Sequence, residues 1–218
     1  MKLTVLGASG GFPAAGGATS GYLLSFDNRN ILIDCGSGVL SNLFRFIRVE
    51  QLDAVILTHL HEDHICDMPI LQYAIDLSRR YGVNCPTIPV FSPSTPEQVA
   101  ERLKSDGEMI IGQISAGGEL PMYGATLHFY LMDHPVETYG LTVEKDSRKL
   151  ALTSDSIPCS AMQTLLQDAD LALMDAGSIE RYRKTKMMHM TAAECGKLAS
   201  ACQVKKLLLT HLLPLINP

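Results

Sequence analysis

At 218 residues, 46% apolar and 19% charged, the chain is long enough to bury one sizeable core and has the composition of an ordinary globular domain. Its formal charge of −5 supplies no overall basic field to hold a nucleic-acid backbone. No apolar run approaches the roughly 18 residues of a membrane span, and the single lysine and short apolar stretch before Gly7 are too little for a signal peptide. The six cysteines (Cys35, Cys66, Cys85, Cys159, Cys195, Cys202) include no CxxC pair and read as small buried side chains in a reducing compartment. The expectation is a cytoplasmic protein with no membrane partner. The densest basic cluster, Glu180-Arg181-Tyr182-Arg183-Lys184-Thr185-Lys186, reads as a solvated surface loop.

In chain order, Leu3–Leu6, Tyr22–Phe26 and Asn30–Asp34 are short β-type runs, with Asp27-Asn28-Arg29-Asn30 as hairpin-turn chemistry. Val39, Leu40, Leu43, Phe44 and Ile47 follow helical spacing. The apolar strand Ala54-Val55-Ile56-Leu57 then runs straight into a histidine cluster. Ile70, Leu71, Ala74, Ile75 and Leu77 predict a second helix, and Thr95 to Lys104 a third. The second half begins again with strands at Met109–Ile114, Ala125–Met132, Leu141–Glu144 and Leu150–Thr153. A helix near Ala161–Gln167 leads to the strand Leu171–Met174. Thr191-x-x-Glu194 is a capping box opening a helix through Ala201, and Lys206–Thr210 is a last strand. Strands and helices interleave twice, which fits two similar α/β halves within one domain better than one doubly wound sheet.

Thr58-His59-Leu60-His61-Glu62-Asp63-His64 carries the chemistry. His59 and His61 stand two apart, so in an extended segment they point the same way, and Asp63 and His64 follow within one turn. Three imidazoles and a carboxylate at the end of a buried strand are costly without a positive partner, and borderline metals such as zinc accept this N/O donor set. So short a loop cannot close two metal sites. Further ligand-capable residues stand at the exits of other apolar strands: His134 after Leu127–Asp133, Asp155 after Ala151–Ser154, and His211 after Leu207–Thr210.

Together the Thr58–His64 segment, His134, Ser154-Asp155-Ser156 and Leu209-Thr210-His211 resemble the metallo-β-lactamase superfamily. The resemblance covers the whole chain, beginning with Asp34-Cys35-Gly36-Ser37-Gly38, which is similar to its Asp-x-Gly element. It implies one domain over residues 1–218 with the fold of a four-layer αββα sandwich, two mixed β-sheets flanked by helices, and metals at one sheet edge. By the same pattern His59, His61 and His134 hold a first ion, Asp63, His64 and His211 a second, and Asp155 bridges them. The expected cofactors are two divalent ions, zinc first and manganese as the alternative.

A dizinc β-lactamase typically has a Cys where Asp155 stands, and a glyoxalase II needs a helical C-terminal domain for which no residues remain. The segment His189-Met190-Thr191-Ala192-Ala193-Glu194-Cys195, followed by Leu209-Thr210-His211, is similar to the tRNase Z branch. The tRNA-processing enzymes carry a long arm between the third His ligand and the bridging Asp; here only residues 135–154 lie between them. The chain also stops soon after His211, earlier than that branch usually ends, so a C-terminal piece is expected beyond it.

The resulting expectation is a hydrolase, specifically a phosphodiesterase for a small phosphodiester such as a cyclic nucleotide or cyclic phosphate, with nucleic acid disfavoured as a partner. A water activated between the two ions is the nucleophile. Candidate catalytic residues are Asp63, from the ion set, and His189, which is placed to protonate the leaving oxygen or bind phosphate. Asp34 is expected to fix a ligand imidazole from behind. Gly7–Pro13 and Gly16–Gly21 permit close backbone approach but fit no P-loop. His128, inside a strand, is assigned to packing. The rivals are acyl hydrolysis of a lactone or thioester, tRNA 3′ processing, and a non-catalytic metal-binding module. The expected assembly is a homodimer.

Overall fold

The computed structural model describes residues 1–182 and 188–215, so Arg183–Lys186 of the basic run lie outside the described residues. The chain divides into two compact units, residues 1–113 and 114–218. The first contains β1 (Lys2–Gly7), β2 (Gly21–Phe26), β3 (Arg29–Ile33), α1 (Val39–Leu43), β4 (Ala54–Ile56), α2 (Glu62–Ile65), α3 (Met68–Arg80), β5 (Ile88–Ser92), α4 (Glu97–Glu101) and β6 (Met109–Gln113). Its strands form one sheet in chain order, antiparallel from β1 to β3 and parallel from β3 to β6.

The second unit contains β7 (Glu119–Met122), β8 (Ala125–Leu131), β9 (Tyr139–Lys145), β10 (Arg148–Leu152), α5 (Ala161–Leu166), β11 (Leu171–Asp175), α6 (Ala192–Ala201) and β12 (Leu207–Thr210). Its sheet is again in chain order, antiparallel from β7 to β10 and parallel from β10 to β12. The molecule therefore has two mixed six-stranded sheets flanked by helices, with the same antiparallel-then-parallel grammar in each half.

Local chemistry explains the hairpins. Asp27-Asn28, Tyr123-Gly124 and Asp146-Ser147 take positive φ at both positions, the two-residue turn whose twist matches the flanking strands, and they join β2–β3, β7–β8 and β9–β10. Helix α6 begins where the capping box predicts: Thr191 Oγ1 accepts from the Glu194 amide and the Glu194 carboxylate accepts from the Thr191 amide.

Four expectations need correction. Met109–Gln113 closes the first sheet rather than opening the second. The helix predicted from Thr95 to Lys104 is only the short α4. In α3 the buried residues are Met68, Leu71 and Ile75, while Ile70 and Leu77 face solvent. Strands β5 and β7 are additional, and both contain a proline, which normally argues against a strand. Pro121 is tolerated because β7 is an edge strand; Pro89 is tolerated because pairing to β4 begins only at Val90.

Met68, Leu71 and Ile75 share a core with Leu32, Val55 and Val90 of the first sheet. In the second unit Met162, Leu165 and Leu166 of α5 and Cys195 and Ala199 of α6 pack on Ala151, Ala172 and Met174. Along β8, Leu127 and Phe129 are buried and His128 lies half-buried on the other face, opposite Glu119 and Thr142. No helix among the described residues is long and apolar enough to cross a membrane.

Candidate functional site

In the first unit β3 and β4 run parallel, so Asp34 and the histidine loop leave the sheet at the same edge. Asp34 takes φ 58°, a left-handed conformation. One carboxylate oxygen accepts the Thr58 amide (2.8 Å), while the other accepts the Thr58 hydroxyl (2.9 Å) and the His64 Nδ1–H (2.8 Å). Both Asp34 and His64 are buried. Fixing Nδ1 in this way turns His64 Nε2 toward Asp63 Oδ2, 3.7 Å away. Asp63 itself is held by the Gly11 amide, which donates to Oδ2 at 2.8 Å and draws the first glycine loop over the cluster.

His61 has extended backbone and is the N-cap of α2, which carries Asp63 and His64. His59 Nε2 lies 3.1 Å from His61 Nδ1. Two imidazole nitrogens aimed at one point, beside a carboxylate–imidazole pair, form a donor set that suits a divalent cation. His59, His61, Asp63 and His64 thus lie together at this edge, with the His59 and His64 ring centroids 4.0 Å apart.

The backbone around them is crowded. A Cβ on Gly36 would run into the Asp63 carbonyl oxygen and the Thr19 hydroxyl. Gly36→Ala should therefore destabilise by about 1–3 kcal/mol as an overpacked site and lower Tm by roughly 3–10 °C. Gly196, inside α6 with nothing near its missing Cβ, is the control: Gly196→Ala should leave Tm unchanged or raise it. Differential scanning calorimetry of the two variants checks both signs.

In the second unit β8, β10, β11 and β12 all run the same way, so His134, Asp155, Asp175 and His211 emerge at one edge of the sheet. Asp155 Oδ2 lies 3.2 Å from His211 Nε2 and 3.9 Å from His134 Nε2. One buried carboxylate oxygen thus faces imidazoles from two different strand exits, the placement a bridging ligand needs. Ser154 and His211, like Asp34, take positive φ, 55° in both cases, at the point where the chain leaves the sheet.

Asp175 is a residue of the candidate site that the sequence did not single out. It is the last residue of β11 and is buried at 1% exposure. Its Oδ2 accepts the Ser156 amide (3.0 Å) and His189 Nδ1–H (2.9 Å); its Oδ1 accepts the Gly177 amide (2.8 Å) and lies 3.4 Å from His211 Nδ1. Three hydrogen bonds thus hold the carboxylate, which places Asp175 to orient the His189 imidazole, with the His211 ring close beside it. His189 Nδ1 is 4.0 Å from Asp155 Oδ2, and the His189 ring stacks on His211 with centroids 4.8 Å apart. The ligand-capable atoms of Asp155, Asp175, His189 and His211 all lie within 4.8 Å of one another. The packing leaves no room for a side chain at Gly177, whose Cβ would meet His211 Nδ1 at 2.9 Å and His189 Cγ at 3.1 Å.

The cysteines stand apart from this chemistry. None forms a disulfide. Burial, with Asp175 and Glu194 nearby, pushes the Cys195 thiol up to about 12, and it donates to the Asp175 carbonyl at 3.1 Å as a neutral group. Burial likewise raises Cys35, deep in the first core.

Histidines and carboxylates collected at the strand exits of mixed sheets define a metal-dependent hydrolase. The chain belongs to the β-lactamase superfamily domain family, which it matches over residues 29–212. It is similar to YhfI of Bacillus subtilis (strain 168), named a probable metallo-hydrolase, with 36% identity over 97% of this chain and 87% of that protein. The crystal structure of YhfI, a metallo-β-lactamase fold protein, matches with a TM-score of 0.92 at 34% identity, covering 96% of this chain and 85% of that one. Human tRNase Z, short form, matches with a TM-score of 0.81 at 19% identity over 97% of this chain and 92% of that one. A diphosphatase from the PhnP family matches with a TM-score of 0.78 at 21% identity over 97% and 87%. At these last two identities the likeness is one of fold.

Proposed function

We propose that this metallo-hydrolase is a two-metal phosphodiesterase acting on a small phosphodiester, a cyclic nucleotide or cyclic phosphate. His59, His61 and His134 are assigned to one ion, Asp63, His64 and His211 to the other, and Asp155 to both, with zinc the first choice and manganese the second. When bound, such ions lower the pKa of a coordinated water and neutralise phosphoryl oxygens. The chain's own residues do the rest. Asp34 holds the ligand imidazole of His64 in one tautomer, Asp175 does the same for His189, and Asp63 is steadied by the Gly11 amide.

The observation that carries the phosphodiester reading is the His189–Asp175 pair. An alkoxide leaving a phosphodiester needs a proton, as one leaving a lactone does, whereas a thiolate leaving a thioester does not. The pair therefore speaks against the thioester, and the substrate panel separates the lactone. An imidazole whose Nδ1 is fixed by a buried carboxylate has only Nε2 to offer, and that nitrogen is suited to deliver the proton. Substrate size is supported separately. The residues between His134 and Asp155, where a tRNA-gripping arm would sit, are taken up chiefly by β9, its two-residue turn and β10.

The test is a substrate panel run on protein reconstituted with zinc or manganese. Bis-p-nitrophenyl phosphate and cyclic nucleotides should be hydrolysed with kcat/KM well above that for lactones and thioesters, and precursor tRNA should not be matured at its 3′ end. Preference for a thioester or lactone would replace the reading by acyl hydrolysis, and efficient tRNA maturation would overturn the small-substrate assignment. We place the protein in the cytoplasm, in keeping with its unpaired thiols.

A further inference from the structure

The first glycine loop carries a phenylalanine one residue away from its contact with a candidate metal ligand. After β1 the loop is tied back at Ser9, which pairs with Thr19 and whose amide donates to the Ala18 carbonyl at 3.2 Å. Farther along it, the Gly11 amide donates to Asp63 Oδ2 at 2.8 Å. Gly11 takes φ 73°, and the Phe12 amide closes back on the Gly10 carbonyl at 2.9 Å, a three-residue turn that glycine enters most cheaply. Pro13 follows, and the residue before a proline is confined to extended backbone. The backbone of Phe12 is thus fixed from both sides, while its side chain stays in solvent at 47% exposure.

A lone exposed phenylalanine is ordinary on a protein surface. This one stands a single peptide unit, about 3.8 Å between Cα atoms, from the residue whose amide holds Asp63. We propose that Phe12 is the surface on which the base of the substrate stacks, so that the substrate is a nucleotide rather than a base-free cyclic phosphate. The proposal rests on the phosphodiesterase reading and narrows it.

The chemistry suits that occupant. Every nucleobase has a π-face, and phenylalanine offers no donor or acceptor with which to choose among bases, so the contact selects for a base rather than for one base. With its backbone already fixed, the ring has only two torsions to lose on stacking. A phosphate bound at the histidine loop carries its base one sugar unit away, where the rim of the site rather than its buried floor meets it. Phe46 supplies the control. It is as exposed, at 53%, but it leads into the stretch whose Gln51 carbonyl accepts the Asn30 side chain at 3.0 Å. Asn30 is near the start of β3, at the opposite end of that strand from Asp34.

The chain contains no tryptophan, so Phe12→Trp places a single reporter at the proposed contact. In the metal-reconstituted full chain, adenosine 5′-monophosphate should quench its fluorescence, and ribose 5-phosphate, which lacks the base, should not. The reporter in Phe46→Trp should respond to neither. Phe12→Ala should raise KM for a 3′,5′-cyclic nucleotide about tenfold or more, the usual worth of one base–aromatic stack. Its effect on base-free glycerol 1,2-cyclic phosphate should be far smaller, and Phe12→Trp should restore the KM for the nucleotide. An unquenched reporter, equal quenching by the two phosphates, or equal losses on the two cyclic substrates overturns the proposal. A wild type that hydrolyses no phosphodiester overturns the phosphodiesterase reading instead, and the quenching titration, which needs no turnover, then decides the stacking by itself.

Discussion

Asp155→Ala is expected to remove both ions and all measurable turnover, while His128→Ala changes neither. Asp155 is buried at 2% exposure, and a single oxygen faces His211 at 3.2 Å and His134 at 3.9 Å. Those two histidines are assigned to different ions, so loss of the carboxylate leaves each with an incomplete ligand set and two buried imidazoles without their anionic neighbour. Elemental analysis of wild-type protein prepared without chelator should return about two divalent ions per chain, and the variant below one. His128 sits on the half-buried face of β8 between Glu119 and Thr142, far along the strand from its ligand-bearing exit. A wild-type value at or below one ion after zinc or manganese reconstitution refutes the two-metal assignment. Equal behaviour of the two variants refutes the division between ligand and packing residue.

The second large effect concerns His189. His189→Ala should retain both ions yet lose kcat by about a hundredfold or more on substrates with poor leaving groups, the usual worth of general acid catalysis. With p-nitrophenolate, which leaves without a proton, the loss should shrink to a few fold. Asp175→Asn probes the same function one residue removed. It keeps the shape but presents an amide where His189 Nδ1–H and the Gly177 and Ser156 amides now find acceptors. Its effect should carry the same leaving-group signature, together with weaker retention of metal because His211 also leans on Asp175. Equal losses for good and poor leaving groups would assign His189 to phosphate binding, and loss of an ion would make it a ligand.

The two predictions differ in how far the sequence alone supports them, and the difference is physical. The histidine cluster is legible because its spacing is local: His59, His61, Asp63 and His64 meet through one extended stretch and one turn of helix, without help from distant chain. His134, Asp155 and His211 are legible as strand exits, since each follows an apolar run. Asp175 follows just such a run, Leu171–Met174, and could have been read the same way. What could not be read is its partnership with His189 and Ser156. That depends on β11 lying parallel to β10 and on α6 returning over it, which no local pattern encodes. The fold class was similarly open to reading through its twice-repeated α/β alternation, whereas β5 and β7 were hidden by prolines whose harmlessness depends on which neighbour they face. In α3 the apolar spacing predicted a helix correctly. It could not show which of two apolar faces meets the core, because both satisfy helical periodicity.

The three left-handed residues at the strand exits, Asp34, Ser154 and His211, bear on how the sequence can drift. A non-glycine residue there costs on the order of 1 kcal/mol of backbone strain. Selection for stability alone would press all three toward glycine, the one residue without that penalty. At 34 and 211 that route is closed, since the strained residue is also the one whose side chain meets an imidazole or the Asp155 carboxylate. The strain at 34 and 211 is therefore a stability deficit that any descendant keeping these side-chain contacts must carry.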